Sequence, residues 1–83
     1  MPEAPNGPPS STPIGEITHY DTGAILSRGF RLEGEMHGAW EFYRKDGSVM
    51  RTGEFDRGRQ VGVWRTFDRS GRLVNETDFA RRR

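Results

Sequence analysis

Between Ile14 and Phe79 the chain is written in short runs of mixed apolar and polar residues punctuated by glycine. Ala39 to Arg44 (AWEFYR) and Ser48 to Phe55 (SVMRTGEF) are rich in aromatic and β-branched residues, which predicts two strands. Lys45-Asp46-Gly47 lies between them, and an Asp-Gly pair suits a turn that needs positive φ. Val61 to Phe67 and Arg72 to Phe79 repeat the arrangement about Ser70-Gly71. Alternation then sets Trp40 and Phe42 on one face of the sheet and Tyr43 on the other, and splits Trp64 from Phe67 in the same way. No segment has the 3.6-residue period of a long amphipathic helix.

The two hairpins are copies. Gly34, Gly38, Trp40, Tyr43, Gly47, Val49, Gly53 and Phe55 recur 24 residues later as Gly58, Gly62, Trp64, Phe67, Gly71, Leu73, Thr77 and Phe79. Only Gly53 to Thr77 breaks the series. Counting back by the same interval finds Gly23, Ile25 and Gly29, a degraded first copy that has Arg31 where Phe is expected. Tyr20 stands one residue nearer its glycine than Tyr43 does. Each unit offers apolar groups that only a stacked neighbour can cover, the physics of a solenoid. The expected fold is all-β, an open antiparallel sheet of successive hairpins, about 2.5 repeats in five or six strands. Gly34, Gly38, Gly47, Gly58, Gly62 and Gly71 define its turns and connections. A turn centred on Asp46-Gly47 puts Trp40 opposite Gly53, where the ring would cover bare backbone. The same register puts Arg65 opposite Glu76, and sets Arg69 against Arg72 unless the second turn is longer.

The pattern carried by Gly34-Glu35-Met36-His37-Gly38-Ala39-Trp40-Glu41-Phe42-Tyr43 and by Gly58-Arg59-Gln60-Val61-Gly62-Val63-Trp64-Arg65-Thr66-Phe67 resembles the MORN repeat, in the variant form common in bacteria. The resemblance spans residues 20 to 79. It implies successive antiparallel hairpins in a curved or groove-like sheet. It also implies an interaction or membrane-contact role, as in eukaryotic relatives, or the antitoxin-like role often given to bacterial ones. Fold alone fixes neither.

Composition divides the chain once. All five prolines lie within residues 1 to 13, and all nine aromatics lie beyond them. A disordered Pro-rich tail is expected over 1–13, the repeat domain over 14–79 and a basic tail over 80–83. Residues 14 to 79 carry ten basic and eleven acidic side chains, so the domain has no long-range field to draw in nucleic acid. With Cys 0, a disulfide scaffold and a thiolate metal site are excluded. The N-terminal stretch lacks a basic start and an apolar core, which makes a cytoplasmic setting the expectation.

The chemistry of an enzyme is not written here. No serine sits in a nucleophile elbow, no glycine loop matches a phosphate or dinucleotide site, and His19 and His37 have no partners at metal-ligand spacing. No catalytic, cofactor-binding or metal residues are expected. His37 reads as a loop-packing side chain. The arginines 57, 59, 65, 69 and 72 are interleaved with Glu54, Asp56, Asp68 and Glu76, which reads as a solvated, ion-paired surface. Trp40, Phe42, Tyr43, Trp64 and Phe67 are the candidate partner-binding surface, although the same rings are the natural core. The expected function is a small non-catalytic module that presents its sheet to a protein partner or to a second copy, by an edge or by the aromatic face. The alternative is a peripheral lipid-contact module anchored through Arg81 to Arg83. Of the edges, Ile14 to Tyr20 carries little charge, whereas Arg72 to Phe79 is guarded by Asn75, Glu76 and Asp78.

Overall fold

The computed structural model describes residues 12–79. The tails expected at either end fall outside the described residues, apart from Thr12 and Pro13. Seven strands follow one another: β1 (Ile14–His19), β2 (Ile25–Leu32), β3 (Glu35–Met36), β4 (Gly38–Tyr43), β5 (Val49–Asp56), β6 (Arg59–Phe67) and β7 (Leu73–Asp78). They form one antiparallel sheet in the order β1-β2-β4-β5-β6-β7, with β3 also paired to β2. The expected all-β architecture of successive hairpins is therefore present. The strand count exceeds the expectation because His37 interrupts what is one continuous strand, β6, in the next copy. Its amide still donates to the Phe30 carbonyl, at 2.9 Å, in the register of the Arg31–Met36 and Leu32–Glu35 pairs.

Three hairpins share one turn. Tyr20 N–H donates to Ala24 O at 2.8 Å, Arg44 N–H to Ser48 O at 2.9 Å and Asp68 N–H to Arg72 O at 2.9 Å. The third residue of each three-residue loop is a glycine with φ of 96°, 93° or 91°, at Gly23, Gly47 and Gly71. This is a tight turn ending in the left-handed region, where only glycine is unstrained. A register shift follows each turn, between Thr18 and His19, Phe42 and Tyr43, and Thr66 and Phe67. The turns are thus one residue longer than a two-residue Asp-Gly turn, and the bulge restores the register further along. Trp40 pairs with Gly53 and Arg65 with Glu76, as expected. Arg69 does not face Arg72; it lies in the loop and reaches Asp46 at 3.4 Å. The connections between copies are two-residue turns at Glu33-Gly34 and Arg57-Gly58, both residues having positive φ.

Asp46 and Asp68 hold their loops together. Asp46 Oδ1 accepts from the Ser48 amide at 2.9 Å and its hydroxyl at 2.7 Å. Asp68 Oδ1 accepts from the Ser70 amide and hydroxyl and from the Arg72 amide, at 3.0, 2.7 and 3.0 Å. These donors favour the ionised form and hold both carboxyls below their ordinary range, the Ser48 amide leading at Asp46 and the Ser70 hydroxyl at Asp68. A depressed folded value means the stability is present above the unfolded pKa and lost as pH falls through the folded one. Denaturant melts should therefore show a loss of stability that begins below about pH 4. Asp46→Asn with Asp68→Asn should flatten that acid limb; an unchanged limb would show that the two carboxylates do not stabilise the turns.

A single sheet has no second layer, so the core must be made on its own surface. Only Leu32, Trp40 and Trp64 are buried apolar residues among those described, Trp40 at 2% exposure and Trp64 at 5%. Each indole lies flat over a strand glycine. A Cβ added to Gly29 would stand 2.1 Å from the Trp40 ring, and one at Gly53 would stand 2.0 Å from the Trp64 ring. The expectation that Trp40 covers Gly53 is corrected here. The two are paired laterally, but Trp40 leans toward β2, and Gly53 receives the ring of the following copy. The indole N–H groups select that direction: Trp40 Nε1 donates to Phe30 O at 2.9 Å and Trp64 Nε1 to Glu54 O at 3.0 Å. A buried indole that keeps its donor satisfied avoids the desolvation penalty.

The copies are also strapped together at the hairpin ends. Tyr20 Oη donates to Tyr43 O at 2.7 Å, and Arg44 Nη2 donates to Phe67 O at 2.5 Å. Both bonds reach 23 residues ahead. Tyr20 therefore occupies the place of Arg44, not that of Tyr43, which explains its displaced spacing.

Candidate functional site

The five aromatic positions singled out in the sequence do not form one surface. Trp40, Phe42 and Trp64 share a face, with Phe42 stacked 5.9 Å from Trp40 and 6.3 Å from Trp64. Phe55 meets both indoles edge-on, at 6.2 and 5.0 Å between centroids. Arg31 and Arg51 lie over the Trp40 and Trp64 rings, each 5.9 Å from the centroid. The two indoles are therefore core, and only the half-buried Phe42 offers ring surface among these three. Tyr43 and Phe67, also half-buried, stand on the opposite face. The six repeat glycines sit in the turns and connections, all with positive φ, and bring no functional side chain with them.

The opposite face carries a ladder of charge. Ile17, Arg28, Glu41, Thr52, Arg65 and Glu76 stand side by side across the sheet. Arg28 pairs with Glu41 at 2.8 Å and Arg65 with Glu76 at 2.9 Å. The Tyr43 hydroxyl adds a 2.5 Å bond to Glu41. That hydroxyl, and then Arg28, hold the Glu41 carboxyl below its usual range, and the carboxylate in turn raises the Tyr43 phenol. The ladder is thus a surface of paired charges, as the sequence suggested.

At the β1 end the ladder gives way to apolar surface. Ile17 and Phe30, on the ladder face, are 50% and 45% exposed, and Ile14, on the opposite face of β1, is 72% exposed. Phe30 pairs laterally with Gly15, which has no side chain to cover it, and Gly15, Ile17, Phe30 and Ala39 line one open groove bordered by Arg28 and Glu41. The 24-residue interval carries a signal for this: the place of Phe30 is held by Glu54 and Asp78 in the other copies. A position that is acidic twice is a solvent position, so phenylalanine there is an exposed ring. At the β7 end Leu73 and Val74 are also exposed, at 46% and 56%, beside acidic Glu76 and Asp78.

His37 is a connector, as its sequence context suggested. Its Nδ1 accepts from the Arg57 amide at 3.2 Å, with Asp56 at 3.8 Å, and ties the two copies at their connecting turns. Among the described residues there is no group of three or more His, Asp or Glu side chains placed to hold a metal ion. Nor is any helix among them long and apolar enough to cross a membrane. No family model, curated protein or solved structure matches this chain.

Proposed function

We propose that this protein is a small non-catalytic binding module of the cytoplasm that presents its β-sheet to a protein partner, in the manner of a regulator or antitoxin-like protein. The observation that carries the reading is the exposure of Ile17 and Phe30 together on one face of the β1 edge, with Ile14 exposed on the other face of the same strand. Large apolar side chains held open beside an edge strand are the features that strand addition uses: main-chain bonds supply affinity, and alternate side chains supply specificity. The resemblance to MORN repeats supports an interaction role in general terms, and the balanced charge of the sheet favours a protein over an anionic polymer.

The test replaces Phe30 by the residue that the second copy carries. Phe30→Glu restores the repeat pattern and should leave folding intact. The parent, as bait in an extract of its own cells, should retain a protein that Phe30→Glu and Ile17→Glu lose. Equal capture by all three would sink the reading. Tight, salt-sensitive binding to anionic vesicles by a monomer would replace it with the lipid-contact alternative.

A further inference from the structure

We propose that the hollow between β5, β6 and β7, on the face that carries the indoles, is a binding site for a carboxylate. It holds about 170 Å³ and is lined by Arg51, Gln60, Trp64, Thr66, Asn75 and Thr77, with Phe79 at its margin. Arg51, Thr66 and Asn75 stand in one lateral row, and Trp64 and Thr77 in the next. This assignment goes beyond the partner reading and stands independently of it.

The internal repeat supplies the comparison. Where β6 has Thr66, β4 has Phe42, and the Phe42 ring fills the corresponding space by stacking at 5.9 Å on Trp40. Where β7 has Thr77, β5 has Gly53 under an indole. The last copy thus gives up an aromatic plug and a bare glycine for two hydroxyls. What remains is a recess floored by the buried Trp64 and rimmed by hydroxyls, amides and one guanidinium, with no carboxylate in its lining. Three other strand arginines are committed to carboxylates, Arg28 to Glu41, Arg31 to Glu16 and Arg65 to Glu76, and Arg59 lies outside the lining of the recess. Arg51 lines the recess with its guanidinium carbon 5.9 Å from the Trp64 centroid, a contact that helps to position the planar group.

The donor set decides the ligand class. A guanidinium presents paired N–H groups that match the two oxygens of a carboxylate, and the match is both geometric and charge-assisted. Thr66, Thr77, Asn75 and Gln60 supply neutral donors around it without adding a competing acid. The volume admits a carboxylate with a few carbon atoms. A sugar or nucleobase would need an exposed ring face to stack on, and Trp64 is 5% exposed.

The carboxylate can come from a free organic acid or from a glutamate side chain in a peptide, and the experiment separates these. The protein is titrated with acetate, with glutarate, with a blocked Gly-Glu-Gly peptide, with phosphate and with chloride at matched ionic strength, and amide shifts are followed by NMR. Saturable millimolar shifts confined to Thr66, Asn75 and Thr77 are expected with acetate or glutarate, and with the peptide where a side chain can enter. Arg51→Gln should weaken them at least ~10-fold, in line with the loss of a charged hydrogen-bonded pair. Thr66→Phe should abolish them by restoring the plug that the second copy accommodates, while Arg59→Gln should leave them unchanged. Equal shifts with chloride, a preference for phosphate, or full binding by Thr66→Phe would overturn the assignment.

Discussion

Adding a single methyl group at Gly53 is expected to cost at least about 3 kcal/mol, the upper range for overpacking a core. The new Cβ would lie 2.0 Å from the Trp64 ring and 2.4 Å from its Cε3, a separation that no rotation of the indole within its slot relieves. The ring must leave, and it takes with it the Nε1 bond to Glu54 O and the edge contact with Phe55. Gly29→Ala should do the same to Trp40. Gly15→Ala is the internal control: it is a third strand glycine with φ outside the left-handed region, and its added Cβ would meet Phe30 at an ordinary 3.8 Å. That substitution should be neutral or mildly stabilising, because alanine restricts the unfolded chain. In thermal melts followed by tryptophan fluorescence, Gly53→Ala and Gly29→Ala should fall by roughly 15 °C or fail to fold, while Gly15→Ala stays near the parent. Three similar melting curves would show that the indoles are not seated on these glycines.

The triple variant Glu16→Trp, Asp68→Arg, Thr77→Gly is expected to convert the protein into head-to-tail assemblies. In the repeat, β1 stands where β4 and β6 stand, and β7 stands where β2 and β5 stand. Ser27 faces Phe42 and Arg28 faces Glu41; one copy on, Arg51 faces Thr66 and Thr52 faces Arg65. Continuing the interval sets Asn75 of one molecule against Thr18 of the next, and Glu76 against Ile17. At that junction every internal device is spoiled. Thr77 stands where a glycine would receive a ring, Glu16 stands where the ring would come from, and Asp68, an acceptor, stands where Tyr20 and Arg44 donate across copies. Glu76, Asp78 and Glu16 add like charges. The three substitutions restore ring, slot and strap together, and a heterologous contact of this kind adds molecules head to tail into a ring or a filament. Light scattering should report growth with concentration for the triple variant and none for the single substitutions. A triple variant with the parent's mass would show that register alone does not drive stacking.

Much of this architecture was legible because a repeat is read twice. The interval predicts both hairpins and the equivalence of Trp40 and Trp64, and the turn register predicts the Arg65–Glu76 pair. The choice of glycine under each ring was not legible. Gly29 and Gly53 flank Trp40 on either side, and only the lean of the indole toward a carbonyl separates them. The degraded first copy misled for a related reason. Tyr20 and Tyr43 look alike, but Tyr20 does the work of Arg44, since a phenol and a guanidinium can both reach the same carbonyl. Phe30 is exposed because the single sheet of the described residues gives a ring at that place nothing to be buried against.

The seating of each ring on the preceding copy makes the 24-residue segment a self-sufficient unit of growth. A duplicated segment arrives with an indole for the slot before it, a glycine slot for the indole after it, and a strap for the next hairpin. Such a chain can be lengthened inside the repeat without any compensating change elsewhere. It can be ended by altering three side chains, with no need for a separate capping fold.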